Sequence, residues 1–120
     1  MASAVIIDDD RGMRLLASMV ADEVGCRVVA EAETGELGVA LTLRRRPDVV
    51  VMDYRLPGID GAEATEQIKR ELPSARVVGW TSSDDQSARE RLLAAGAEDV
   101  VDKRELDRLR QVLRAWCGEA

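Results

Sequence analysis

Five short runs of β-branched and aliphatic residues alternate with five longer segments whose apolar residues recur at helical spacing. The runs are Ala4 to Asp8, Arg27 to Glu31, Val49 to Asp53, Arg76 to Trp80 and Asp99 to Asp102. The third and fourth hold valine blocks with few polar interruptions, as expected of strands buried on both faces. Between the runs, Met13, Leu16, Met19, Val20 and Val24 form one helical stripe, and Leu37, Leu41 and Leu43 with Val39 and Ala40 form a second. Ala64, Ile68 and Leu72 make a third, Ala88, Leu92 and Leu93 a fourth, and Leu106, Leu109, Val112, Leu113 and Trp116 a fifth.

The boundaries between these segments carry matching signals. Thr34 is placed to cap the second helix, with Glu36 in its first turn, and Arg44 to Arg46 followed by Pro47 close it. Asp60 and Glu63 form a capping box for the third, and Pro73 follows its end. Ser82 or Ser83 caps the fourth, with Asp84 and Asp85 early in it; Gly96 ends that helix and Gly118 the fifth. Strict alternation of strand and helix implies right-handed crossovers and a parallel sheet. Five such units predict an α/β flavodoxin-like, doubly wound (βα)5 sandwich, with strand order 2-1-3-4-5 and helices on both faces. The pattern predicts a single domain over residues 1–120, with no linker, repeat or output domain in this chain.

Composition narrows the picture. Hydrophobic residues make up 46% and charged residues 33% of 120 residues, a balance that supports one packed core and excludes disorder. There is no Phe, and Tyr54, Trp80 and Trp116 are the only aromatics, so the core is aliphatic and the two tryptophans read as packing residues. A net charge of −6 argues against direct nucleic-acid binding by this domain. The short basic run Arg44 to Arg46 complements a helix C-terminus instead. Cys26 and Cys117 make no metal spacing and read as two reduced thiols of a cytoplasmic protein. No apolar run reaches the length of a membrane span, and no signal-peptide pattern opens the chain. Histidine chemistry within the chain is excluded, since it has no His.

The candidate chemistry lies where the strands end. The first strand ends in Asp8, Asp9 and Asp10, and the third in Asp53; the fourth leads into Thr81 and Ser82, the fifth into Asp102 and Lys103. In the order 2-1-3-4-5, strands one and three are neighbours at the topological switch point, where such folds bind ligands. Carboxylates crowded there require a cation or raised pKa values. With oxygen ligands, no His and no paired Cys, Mg²⁺ is the natural ion, and it keeps sites open for a phosphoryl oxygen. A carboxylate can then become an aspartyl phosphate, while Thr81 and Lys103 bind the transferred group. Asp10 reads as a helix cap or surface charge, and Asp102 and Arg104 as solvated.

Val-Ile-Ile-Asp-Asp-Asp at 5–10, Val-Val-Val-Met-Asp-Tyr-Arg-Leu-Pro-Gly-Ile-Asp-Gly at 49–61, Trp-Thr-Ser at 80–82 and Val-Val-Asp-Lys at 100–103 resemble the receiver domains of bacterial two-component response regulators. The resemblance runs from about Ala4 to about Trp116. It implies that Asp53 is the phosphoacceptor. It implies that Asp8 and Asp9 hold Mg²⁺, Asp9 the more directly, with Asp53 and the backbone carbonyl of Arg55 completing the metal site. Thr81 would supply the hydroxyl that moves to the phosphoryl group, Ser82 an assisting backbone amide and Lys103 the phosphoryl-binding ammonium. The donor would be a histidine kinase or phosphotransfer protein. The face of the fourth helix, fifth strand and fifth helix would then switch its affinity for a partner or for a second copy, as a homodimer. The stretches at 61–65 and 81–85 look most like receivers that precede a helix-turn-helix DNA-binding domain. Two positions depart from the family pattern: Val100 replaces the usual aromatic before the lysine, and Arg104 the usual Pro after it. Arg55 and Ser83 occupy positions where family members vary phosphoryl lifetime.

Two other readings compete. A small Mg²⁺ phosphatase of the haloacid-dehalogenase type would use Asp8 as nucleophile with Asp10 beside it, although the Thr or Val that follows in that family is missing. A phosphorylation-independent interaction module on the receiver fold would not need the full acidic set. The switch is not expected to be an enzyme beyond its own phosphorylation and dephosphorylation.

Overall fold

A computed structural model describes residues 1–82 and 85–118. The chain runs β1 (Ser3–Ile7), α1 (Arg11–Glu23), β2 (Arg27–Ala32), α2 (Gly35–Arg45), β3 (Val49–Met52), α3 (Gly61–Glu71), β4 (Arg76–Thr81), α4 (Gln86–Ala95), β5 (Asp99–Asp102) and α5 (Leu106–Cys117). All strand pairs are parallel and the order is β2-β1-β3-β4-β5, as the alternating pattern predicts. The fold class is therefore the flavodoxin-like one.

The period-two alternation of strand side chains divides the core between two faces. On β1, Ala4 and Ile6 face α1 and α5, whereas Val5 and Ile7 face α2, α3 and α4. On β3, Val49 and Val51 join the first group, Val50 and Met52 the second. These eight side chains are at most 1% exposed, which explains why the central strands read as unbroken apolar runs.

Caps fix where the helices begin. Asp10, Thr34 and Asp60 each accept a hydrogen bond from the backbone N–H three residues on, at 3.1, 3.1 and 2.8 Å. Each such cap contributes about 1 kcal/mol. The cap of α4 is Asp85, which accepts from the Ala88 N–H at 3.0 Å; the expected Ser82 is one turn too early. Ser83 and Asp84 lie outside the described residues. Gly96 ends α4 at φ 115°, a left-handed conformation that favours glycine.

Other sequence expectations are corrected. α2 does not bury Leu37, which is 44% exposed; Gly35, Gly38, Val39 and Thr42 form its inward face. A Cβ at Gly38 would lie 2.6 Å from the Ile7 side chain, so the helix seats through its small residues. Met19 and Leu93 likewise point outward. Cys26 and Cys117 are not separate thiols: they are joined in a disulfide, with Cα atoms 5.5 Å apart. α1 and α5 share one face of the sheet, which brings the end of α5 over the start of β2. Among the described residues no helix is long and apolar enough to cross a membrane.

Candidate functional site

The parallel register carries β1 and β3 forward together, pairing Ile7 with Met52. The Asp53 N–H donates to the Ile7 carbonyl at 2.9 Å, so Asp8 and Asp53 emerge side by side at the C-terminal edge of the sheet. Each of Asp8, Asp9 and Asp53 offers a carboxylate oxygen, all within 4.8 Å of one another. Asp8 is 1% and Asp53 5% exposed, whereas Asp9 faces solvent. Like charges this close repel by roughly 3–4 kcal/mol at an effective dielectric near 20.

Local hydrogen bonds aim the two buried carboxylates. Asp8 Oδ1 accepts from the Asp10 N–H at 2.9 Å, and Asp53 Oδ1 from the Tyr54 N–H at 2.8 Å. The following loop folds back so that the Gly61 N–H donates to the Tyr54 carbonyl at 2.7 Å. A Cβ at Gly61 would collide with the Asp53 backbone, so only glycine permits this return. Beyond β5, the Lys103 N–H donates to the Thr81 carbonyl at 2.9 Å. This holds Lys103 at the same edge, where its Nζ lies 2.7 Å from Asp8 Oδ2 and 3.3 Å from Asp53 Oδ2.

Burial and the Asp8 charge push the Asp53 carboxyl up from 3.8 to about 6, against the pull of Lys103 and the Tyr54 N–H. Burial lowers the Lys103 ammonium, but the two carboxylates outweigh it and hold the group above its ordinary value. The site thus has more buried negative charge than one ammonium balances. Its all-oxygen donor set fits a hard divalent cation.

The other expected residues fall around this centre. Thr81 ends β4, is 5% exposed, and pairs in register with Asp102. Ser82 follows it and is exposed. Both border a cavity of about 300 Å³ between α4, β5 and α5, across which the Arg89 guanidinium donates to the Val100 carbonyl at 2.9 Å. Arg55 follows Asp53 by two residues, and its exposed guanidinium pairs with Asp85 at the start of α4. Asp102 is not solvated: it accepts from the Arg104 N–H at 2.8 Å and pairs with the Arg104 guanidinium at 3.2 Å. That turn leads from β5 towards α5.

Two features escaped the sequence reading. The Arg55–Asp85 pair joins residues 30 apart across two loops, with no periodic signal to betray it. The Trp80 ring lies under the Lys103 ammonium, 5.5 Å from centroid to Nζ. The strand register Trp80↔Val101 contained that proximity, but only once the sheet order was known.

Comparison with known proteins agrees with this architecture. Residues 4–114 match the response regulator receiver domain. The chain is similar to the response regulator GacA of Pseudomonas aeruginosa, at 36% identity over 86% of this chain and 49% of that protein. It is similar to a protein-glutamate methylesterase/protein-glutamine glutaminase of Natronomonas pharaonis, at 43% identity over 69% of this chain and 23% of that protein. The chain therefore spans about half or less of the length of these curated relatives. Among solved structures, a LuxR-family two-component response regulator from Aurantimonas is 31% identical, with a TM-score of 0.86 over 96% of this chain and 84% of that one. The BeF3-activated DrrB receiver domain is 28% identical, with a TM-score of 0.85 over 99% of each chain. On fold, motif and similarity together, the chain belongs to the response regulator receiver domain family of two-component signal transduction.

Proposed function

We propose that this domain is a Mg²⁺-dependent phosphorylation switch with Asp53 as phosphoacceptor. The observation that carries the reading is the convergence of the Asp8, Asp9 and Asp53 carboxylates, with Lys103 reaching two of them. Asp8, Asp9, Asp53 and the backbone carbonyl of Arg55 would hold the ion. When bound, it supplies positive charge that offsets carboxylate repulsion and the charge of the incoming phosphoryl group.

The ionised Asp53 is the nucleophile. One carboxylate oxygen forms a bond to phosphorus as the bond from phosphorus to the donor breaks, and the leaving group takes that electron pair. With a phosphohistidine donor the leaving ring nitrogen is reprotonated from water; with acetyl phosphate, acetate departs. The product is an aspartyl phosphate. Water later attacks phosphorus, the bond to Asp53 breaks, and the carboxylate and inorganic phosphate are restored. Lys103 neutralises one phosphoryl oxygen, the Thr81 hydroxyl donates to another, and the Ser82 backbone amide assists.

Thr81 and Ser82 also border the cavity against α4, β5 and α5. Their movement towards the phosphoryl group would shift a pre-existing equilibrium of that face and change its affinity for a partner or a second copy. The donor is a histidine kinase or a phosphotransfer protein. The haloacid-dehalogenase reading is disfavoured because the Asp10 carboxylate is spent capping α1. Incubation with acetyl phosphate and Mg²⁺ should add one phosphoryl group by intact mass. A chelator or Asp53→Asn should abolish the addition; persistent labelling of Asp53→Asn refutes the assignment.

A further inference from the structure

Trp80 is fully buried in β4, and it packs with the α1 and α5 face of the core. Burial alone does not account for an indole there. Its Nε1–H is buried with no hydrogen-bond partner among the described residues, an arrangement that penalises folding. A leucine or phenylalanine would fill apolar space without an orphaned donor. The ring has a second neighbour, the Lys103 ammonium 5.5 Å from its centroid. That distance lies within the range of cation–π attraction, which is strongest for tryptophan and grows as the cation is desolvated. The Lys103 side chain is only 20% exposed.

We propose that Trp80 is a positioning residue whose indole face holds the Lys103 ammonium over the phosphoacceptor site. The inference rests on the phosphorylation reading above and deepens it. In the unphosphorylated protein Lys103 is held by Asp8, Asp53 and the ring. Once a phosphoryl group is on Asp53, the ammonium must leave Asp8 and follow the new oxygens. A carboxylate hydrogen bond is directional and has to be broken for this. The face of a ring is broad, so the cation can slide across it and stay attached. Trp80 thus limits the positions that Lys103 samples during transfer.

The test is the rate of Asp53 phosphorylation by acetyl phosphate at saturating Mg²⁺, in wild type, Trp80→Phe and Trp80→Leu, each also in a Lys103→Met background. Trp80→Leu should slow the reaction about fivefold, and Trp80→Phe, which keeps a weaker ring face, should recover most of the rate. In the Lys103→Met background the Leu substitution should have no further effect, because the cation it acts through is gone. An unchanged rate in Trp80→Leu, or equal slowing with and without Lys103, overturns the proposal. Should Trp80→Leu fail to fold, progressively fluorinated tryptophan in a Trp116→Phe background preserves shape while draining the ring face of charge. A graded fall in rate supports the role of Trp80, and a flat series overturns it. Absence of any wild-type phosphorylation would instead sink the underlying switch.

Discussion

Replacing Asp53 by Asn should stabilise the metal-free domain. Asp53 is 5% exposed and lies beside Asp8, and its carboxyl is raised to about 6 from 3.8, first by burial and then by the Asp8 charge. An acid harder to ionise in the folded than in the unfolded chain destabilises the fold wherever it is ionised. Below the unfolded value both states hold the proton and there is no penalty. Between that value and about 6 the native state binds more proton, so stability falls as pH rises. Above about 6 the penalty is complete, at about 3 kcal/mol as an order of magnitude. Asn removes the charge but retains an oxygen that can accept from the Tyr54 N–H, so a gain of about 1–3 kcal/mol is expected at pH 7, or roughly 5–10 °C in Tm. The gain should fall to about half by pH 5, where the native carboxylic acid is mostly protonated. Urea unfolding of both proteins in the presence of a chelator, from pH 7 to pH 5, measures it. A less stable Asn variant, or a gain that does not change over that range, would refute the electrostatic account.

Further outcomes follow from the same geometry. Lys103→Met leaves the Asp8 and Asp53 carboxylates without their ammonium and should cost about 2–4 kcal/mol in metal-free urea unfolding, with added Mg²⁺ restoring part of the loss. Mg²⁺ affinity measured by calorimetry should weaken as pH falls through about 6, because the proton on Asp53 competes with the ion, and Asp9→Ala should weaken it at every pH. The Cys26–Cys117 link spans 91 residues, so a thiol reductant should lower stability by about 2–4 kcal/mol, and unreduced denatured protein should show no free thiol to an arylating reagent. Two titratable thiols under those conditions would contradict the cross-link.

The sheet and the acidic edge were legible because both depend on short-range pattern. Valine runs buried on two faces mark β3 and β4, and the parallel order then forces Asp8 and Asp53 together without any knowledge of side chains. The misreadings arose where packing does not follow residue size. α2 seats on β1 through Gly38 and buries the small Thr42, so an apolar count favours Leu37, which points to solvent. Asp85 rather than Ser82 caps α4, since several adjacent polar residues could begin the helix and only the path of the chain out of β4 selects one. The Cys26–Cys117 contact depends on α1 and α5 sharing a face, a tertiary fact invisible in spacing. Trp80 lies in the core, as its place in an apolar strand predicts, but the cation above its ring leaves no mark in the sequence.

The central claim is that the acidic ends of β1 and β3 divide the work, with Asp53 taking the phosphoryl group while Asp8 and Asp9 serve the metal. Borohydride reduction of the acetyl-phosphate-treated protein, followed by peptide mapping, tests it most directly, because reduction converts an aspartyl phosphate to homoserine at the modified position. The account predicts homoserine at residue 53 alone, and only when Mg²⁺ was present. Homoserine at residue 8 or 9, or at residue 53 without Mg²⁺, would contradict it.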